Sequence, residues 1–129
     1  MDTVVALPSL MICRVKVPLS YTNAELFMNE VLSIIRTAPS RLQWFILRFD
    51  CIGEVDYVAA RMLTELADRI GKEQVALIFA SLSPNLRGFF ADFGVLEVIG
   101  LERVFASVDE AIIAFRNLKL NAKQMRKMS

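Results

Sequence analysis

The short loop at residues 51–56, CIGEVD, holds the side chains best placed for chemistry. It follows the apolar run WFILRFD and ends at Asp56, whose carboxylate can accept hydrogen bonds from the first N–H groups of a following helix. Gly53 lets the backbone turn closely, and the acidic and aromatic side chains beside it can face another molecule. The sequence therefore predicts a partner or ligand surface made of Gly53, Glu54, Asp56 and Tyr57.

A second helix start, at Ser83 and Pro84, offers different chemistry. The N–H groups at a helix N-terminus attract anions, and Asn85 and Arg87 would help to bind one. Loops at the carboxyl ends of parallel strands share one edge of the sheet, so we expect this end to lie near Asp56. The Asp56 carboxylate would repel an anion, and the sequence has no glycine-rich phosphate loop. The sequence therefore predicts Asn85 and Arg87 as contacts of an anion.

The composition argues against several classes of function. The 129-residue chain has no histidine, which removes histidine-based acid–base catalysis and the commonest metal ligand. Its two cysteines, Cys13 and Cys51, are expected to be small buried hydrophobes in a reducing compartment. Fifteen Lys and Arg residues nearly balance fourteen Asp and Glu residues, whereas a nucleic-acid binder carries a basic surplus. We therefore expect no enzymatic activity, no metal, no cofactor and no nucleic-acid partner.

Strands and helices alternate along the chain and position these loops. Apolar patterns predict strands at residues 10–17, 44–50, 74–82 and 102–106, after an initial strand or hairpin, and helices that begin near residues 23, 56, 83 and 107. Strands that alternate with helices pair mostly in parallel. The predicted fold class is α/β, with a mixed, mostly parallel sheet of four to five strands and four to five helices. No apolar run approaches the ~18 residues of a membrane span.

Cap residues and apolar stripes predict how these elements begin, end and pack. Gly71 suits a left-handed helix cap, and Ser83 suits an N-cap ahead of a proline. Capping boxes are predicted for the pairs Thr22–Glu25 and Ser107–Glu110. The predicted buried faces are Met11, Cys13, Val15 and Val17; Phe27, Val31, Ile34 or Ile35, and Ala38; Ala59, Leu63, Leu66 and Ile70; Leu86, Phe90 and Phe93; and Val108, Ile112 and Phe115. Phe89 lies off its helix's stripe and is expected at the edge of the core or exposed.

Four stretches of the chain resemble, in their order and residue types, those of a known family. They are LPSLMICRVKVPLSYTNAELF, WFILRFDCIGEVDYVAARML, QVALIFASLSPNLRGFFADFGVLEVIG and ERVFASVDEAIIAF. Together they resemble a STAS domain, in particular the cytoplasmic C-terminal STAS domain of SulP-type anion transporters. The resemblance implies the STAS fold at residues 10–118, with residues 1–9 as a linker or short strand and residues 119–129 as a basic tail.

The resemblance also implies a function and a location. It implies a non-catalytic regulatory domain of a sulfate or other anion transporter, on the cytoplasmic face of the plasma or bacterial inner membrane. Its partner would be the transmembrane domain of the same protein, and a homodimer and a soluble cytosolic protein are further alternatives. The domain would act through protein–protein contacts that modulate transport or assembly.

A related group of small soluble STAS proteins gives the alternative function. These anti-sigma-factor antagonists are switched by phosphorylation of a serine or threonine directly after the loop aspartate. Here Tyr57 follows Asp56, so we expect no phosphorylation at the family position. The alternative is a stand-alone STAS protein that acts as a partner switch or as a sensor of a small ligand or nucleotide.

Overall fold

This computed structural model describes residues 2–51 and 54–128, in which a hairpin of two strands is followed by helices and strands in largely alternating order. The strands are β1 (Asp2–Leu7), β2 (Leu10–Arg14), β3 (Trp44–Arg48), β4 (Ala76–Ala80) and β5 (Val104–Phe105). The helices are α1 (Ala24–Thr37), α2 (Tyr57–Lys72), α3 (Pro84–Asp92), α4 (Val95–Ile99) and α5 (Val108–Met128), with a 3-10 turn at Leu101–Arg103.

The five strands form one sheet in the order β1-β2-β3-β4-β5. β1 is antiparallel to β2, and the other neighbours are parallel, which confirms the predicted mixed, mostly parallel sheet. Because the strand order follows the chain order, right-handed crossovers place every connecting helix on the same side. Helices α1 to α4 accordingly pack on one face, and α5, which follows the last strand, packs on the other. We call these faces the α1–α4 face and the α5 face.

Alternation along the central strands divides the core between these faces. Phe45 and Leu47 of β3 point into the large cluster under α1 to α4, whereas Ile46 points toward α5. Successive side chains of a strand alternate between faces, so a strand that is covered on both sides is apolar throughout. This explains the uninterrupted apolar runs of β3 and β4.

Two predicted helix ends are wrong. Helix α2 continues past Gly71 to Lys72, and Gln74 takes the left-handed conformation, with a φ of 64°. The chain reverses there because Val75 must enter the core directly afterwards. The Thr22–Glu25 capping box is also absent, since the Thr22 hydroxyl contacts the Ser20 hydroxyl at 2.7 Å instead.

The serine caps agree with the sequence. Ser83 Oγ accepts a hydrogen bond from the N–H of Leu86 at 3.1 Å, and Ser107 Oγ accepts one from the N–H of Glu110 at 3.1 Å. These bonds satisfy N–H groups that have no partner within their own helix. They fix the starts of α3 and α5 where the sequence predicts them.

Burial departs from the predicted stripes at several positions. Val17 is exposed because β2 ends at Arg14, and Phe93 is exposed because α3 ends just before it. The side chains of Phe27, Ile34, Ile35, Ala38, Phe89, Val108 and Ile112 lie half-buried at the edges of the core. Helix α5 continues to Met128, so residues 119–128 of the expected tail are helical.

Candidate functional site

Asp56 ties three segments together at the carboxyl edge of the sheet. Its Oδ1 accepts a hydrogen bond from the N–H of Ala59 at 2.8 Å, which is the predicted N-cap of α2. Its Oδ2 accepts a second one, from the N–H of Tyr21 in the connection between β2 and α1, at 2.8 Å. Both carboxylate oxygens therefore hold backbone, and the charge stabilises the positive end of the helix dipole.

The loop before Asp56 extends the sheet by one bridge. Leu19 and Val55 pair in parallel and are both buried. The N–H of Leu19 donates to the Glu54 carbonyl at 3.3 Å, and the N–H of Asp56 donates to the Leu19 carbonyl at 2.9 Å. The Glu54 side chain is exposed. Gly53, the fourth predicted member of this surface, lies outside the described residues.

Tyr57 begins an exposed aromatic ledge, which we define as Tyr57, Phe89 and Phe93. The Tyr57 side chain is 52% exposed, and its ring meets that of Phe93 edge-on with a centroid distance of 5.2 Å. Phe93 in turn contacts Phe89 at 4.6 Å, and Phe89 contacts the buried ring of Phe90 at 6.1 Å. The ledge is therefore an apolar surface that is anchored to the core on one side.

A pocket of about 290 Å3 lies beside the ledge. Asn85, at the start of α3, lines it together with Glu54 and Asp56, so the structure brings the two helix starts to one edge as expected. Arg87 is exposed but is not part of the lining. The polar side chains that line the pocket are thus two carboxylates and one amide. The negative charges of the carboxylates disfavour the binding of an anion there.

A polar group of different character lies where β3 leaves the sheet. Arg48 binds Asp50 through two nitrogens, with Nη2 at 2.6 Å from Oδ2. Burial acts to raise the pKa of Asp50, but the Arg48 hydrogen bond and the charges of Arg48 and Arg14 outweigh it and hold that pKa below its ordinary value. Arg14 Nε also donates to the sulfur of Cys51 at 3.0 Å. Cys51 is exposed, which corrects the expectation that both cysteines are buried; Cys13 is buried.

Sequence reasoning missed the partners of the loop. Leu19 and Tyr21 lie more than thirty residues before Asp56, so no local pattern links them to it. The ledge had a local signal, because Phe89 and Phe93 are four residues apart and share a helix face. Phe93 was assigned to the core, since the sequence alone does not show that α3 stops at Asp92, whereas Phe89 was expected at the edge of the core or exposed.

The site presents exposed side chains to another molecule. Among residues 2–51 and 54–128, no group of three or more His, Cys, Asp or Glu side chains could hold a metal ion. Within the same ranges, no helix combines the length and the apolar character needed to cross a bilayer. The arrangement offers an exposed aromatic ledge beside an acidic pocket. Four hydrogen bonds that involve backbone groups hold Glu54 and Asp56 in place there.

Comparison with known proteins gives the family. The model of the STAS domain matches residues 3–111. A probable sulfate transporter of Mycobacterium tuberculosis is 28% identical over 109 residues, which are 84% of this chain and 20% of that protein. The chain thus spans about a fifth of the length of the curated relatives it matches.

Solved structures share the fold. A sulfate transporter family protein from Wolinella succinogenes has a TM-score of 0.74 at 24% identity, over 91% of this chain and 92% of that one. The murine solute carrier 26 member A9 anion transporter has a TM-score of 0.77 at 20% identity, over 86% of this chain and 18% of that one. A putative anti-sigma factor antagonist from Thermotoga maritima has a TM-score of 0.73 at 12% identity, covering 89% and 93%. With the family model matching most of its length, the chain belongs to the STAS domain family.

Proposed function

We propose that the chain is a non-catalytic regulatory domain of a SulP-type transporter of sulfate or another anion. It lies on the cytoplasmic face of the membrane and acts by contact with the transmembrane part of the same protein. The similarity to sulfate transporters over most of this chain supports the transporter class. A second copy of the domain and a soluble cytosolic protein are the other partners that such a surface could serve.

The aromatic ledge is the observation that carries this proposal. Half-exposed aromatic rings are costly to leave in water and are common at the centres of protein interfaces. The ring of Tyr57 is fixed against Phe93, so little conformational entropy is lost when a partner covers it. Asp56, by contrast, already holds two backbone N–H groups, so its role is to keep the ledge in position.

The alternative is a stand-alone partner switch or a sensor of a small ligand or nucleotide. The fold similarity to the Thermotoga maritima antagonist, which covers 93% of that chain, favours it. Against it, Tyr57 stands directly after Asp56, where the resembling proteins carry the phosphorylated serine or threonine. Asn85 offers an amide to a ligand in the adjoining pocket, but Glu54 and Asp56 line the same space. An anion or nucleotide at Asn85 and Arg87 stays a prediction.

Transport by the full-length protein tests the leading proposal. We expect Tyr57→Ala to lower sulfate uptake by about tenfold, the effect of losing about 1.4 kcal/mol of contact energy. The free energy of unfolding should fall by only about 0.5–1 kcal/mol, because the half-exposed ring loses one edge contact. Uptake of labelled sulfate and urea unfolding of the purified domain measure the two effects.

Ile113→Ala is the matched control, since Ile113 is similarly exposed but belongs to α5 on the opposite face. It should leave uptake unchanged. Equal uptake in the Tyr57→Ala variant and the wild type would refute the ledge as a regulatory contact. An immunoblot of native cells separates the two functions: a membrane-bound band much larger than 14.6 kDa supports the transporter domain, and a free band of 14.6 kDa supports the stand-alone protein.

A further inference from the structure

Helix α5 has two halves with different surroundings. In the first half, Ala111 and Phe115 are buried against the sheet, with Val108 and Ile112 beside them. After Phe115 the described side chains are exposed, apart from the partly buried Lys119. The last three turns therefore owe little of their position to the core, and most of their side chains are open to contact.

Charge is distributed very unevenly between this half-helix and the rest of the chain. Residues 111–129 contain five basic residues and no acidic one, although the whole chain has fifteen basic and fourteen acidic residues. The first 110 residues thus carry a net charge of −4 and the remainder +5. The nearly neutral net charge of the whole chain is therefore the sum of a negatively charged N-terminal part and a positively charged C-terminal helix. A positively charged helix attracts negatively charged surfaces.

The basic residues form a stripe on the helix. Arg116, Lys119, Lys123 and Arg126 follow at intervals of three, four and three residues, which places them on one side of α5. The Lys119 ammonium lies 5.5 Å from the centre of the Phe115 ring, so this charge is held at the edge of the α5 face. We call these four residues the basic stripe.

Exposed apolar side chains and a groove adjoin the basic stripe. Leu120 is 58% exposed, and Leu118 and Met125 are also largely exposed. A groove of about 430 Å3 runs between α5 and the turn from β1 to β2, with Leu7, Pro8, Phe115 and Leu120 as apolar walls. Arg116, Lys119 and Lys123 line the same groove. Positive charge at the border of an apolar groove matches an amphiphile with an anionic head.

We propose that the second half of α5 docks on an anionic phospholipid surface, with headgroup phosphates on the basic stripe and Leu120 at the headgroup–acyl boundary. Helices with cationic and apolar sides lie in the membrane interface in this way. The charge complementarity favours a bilayer, since each basic residue near an anionic membrane contributes about 1 kcal/mol. The inference rests on the proposed function for its setting, because a domain beneath a transporter is already close to the inner leaflet.

Cosedimentation of the 129-residue chain with vesicles tests the inference. One set of vesicles is phosphatidylcholine alone, and the other contains phosphatidylglycerol as well. We expect binding to the second set, weakening as salt is raised because screening shortens the range of the attraction. The triple variant Arg116→Gln, Lys119→Gln and Lys123→Gln, which removes three charges of the basic stripe, should bind about 100-fold more weakly, at roughly fivefold for each charge.

The matched control removes three exposed charges elsewhere, as Arg61→Gln, Arg69→Gln and Arg103→Gln, and should keep most of the binding. Equal loss in both triple variants would mean that net charge, and not the stripe, drives association. The inference is overturned if the wild type ignores phosphatidylglycerol or binds both vesicle sets equally. The salt titration of the wild type needs no variant, and a failure here leaves the sulfate-uptake result for Tyr57 unaffected.

Discussion

The two faces of the sheet differ in how they are covered and in what they support. On the α1–α4 face, four helices enclose the rings of Phe49, Phe79 and Phe90, which contact one another at centroid distances of 5.1–5.9 Å. On the α5 face, one helix covers a smaller cluster, in which Phe115 packs on the half-buried Trp44 at 5.1 Å. The α1–α4 face carries Asp56 and the aromatic ledge, and the α5 face carries a helix whose second half is exposed.

This difference suggests a division of labour. A ledge that recognises a specific protein surface benefits from fixed geometry, because ordering it on binding costs entropy. A helix that meets a fluid lipid surface needs charge and apolar area more than fixed geometry. The same substitution should therefore have different consequences on the two faces.

Phe79→Ala should have the largest effect. Its side chain is fully buried between Phe49 and Phe90, so the surrounding rings cannot collapse into the space it leaves. We expect the free energy of unfolding to fall by about 4–5 kcal/mol, measured by urea unfolding followed by circular dichroism. Phe93→Ala serves as the control, since the loss of this half-exposed ring at the end of α3, on the same side of the sheet, should lower the free energy of unfolding by only about 1 kcal/mol. Similar losses for both variants would mean that the α1–α4 face is not tightly packed.

Phe115→Ala is the matched substitution on the α5 face. It should lower the free energy of unfolding by about 3 kcal/mol, at the lower end of the range for a buried phenylalanine. The loss is smaller because water and neighbouring side chains can enter the cavity from the adjoining groove. The loss should also loosen α5 as a unit, so trypsin should cleave at Arg116 and Lys119 faster than in the wild type. Trp44 fluorescence should shift to longer wavelength as its ring becomes wetter. A cost equal to that of Phe79→Ala, with unchanged proteolysis, would show that the two faces are equally strong.

The fold was largely predictable from the sequence because its elements carry local signals. The stripe Ala59, Leu63, Leu66 and Ile70 is buried as expected, and Ser83 caps α3 as expected. The errors occurred where tertiary context decided the outcome. Gly71 has the intrinsic preference for a left-handed cap, yet the burial of Val75 set the reversal three residues later, at Gln74.

The candidate site was predictable only in part, for the same reason. Asp56 and Tyr57 are adjacent in sequence, so their roles at the start of a helix follow from local rules. The contacts with Leu19, Tyr21 and Phe93 join segments far apart in the chain, and no periodicity encodes them. The continuation of α5 to Met128 was also missed, because a basic segment without a buried stripe looks like a tail in sequence.

Substitution of Asp56 should lower stability less than Phe79→Ala or Phe115→Ala does. It is the substitution that tells most about the candidate site. Asp56→Ala removes the acceptors for Ala59 and Tyr21 and should cost about 1–2 kcal/mol. Asp56→Asn should cost about half as much, because the amide retains one acceptor oxygen and Asn is a good N-cap. Native-state hydrogen exchange should show faster exchange at the Tyr21 amide in both variants, and at the Ala59 amide mainly in the alanine variant.

The size of the Asp56 effect bears directly on the comparison between the faces. If Asp56→Ala lowered the free energy of unfolding as much as Phe115→Ala does, the bonds of Asp56, and not the packing of the helices, would stabilise the α1–α4 face. A small cost with exchange confined to the loop and the first turn of α2 would mean that packing fixes the fold and Asp56 fixes the ledge. Tyr57 would then lose its register against Phe93 without global unfolding, so Asp56→Ala in the full-length protein should lower sulfate uptake as Tyr57→Ala does.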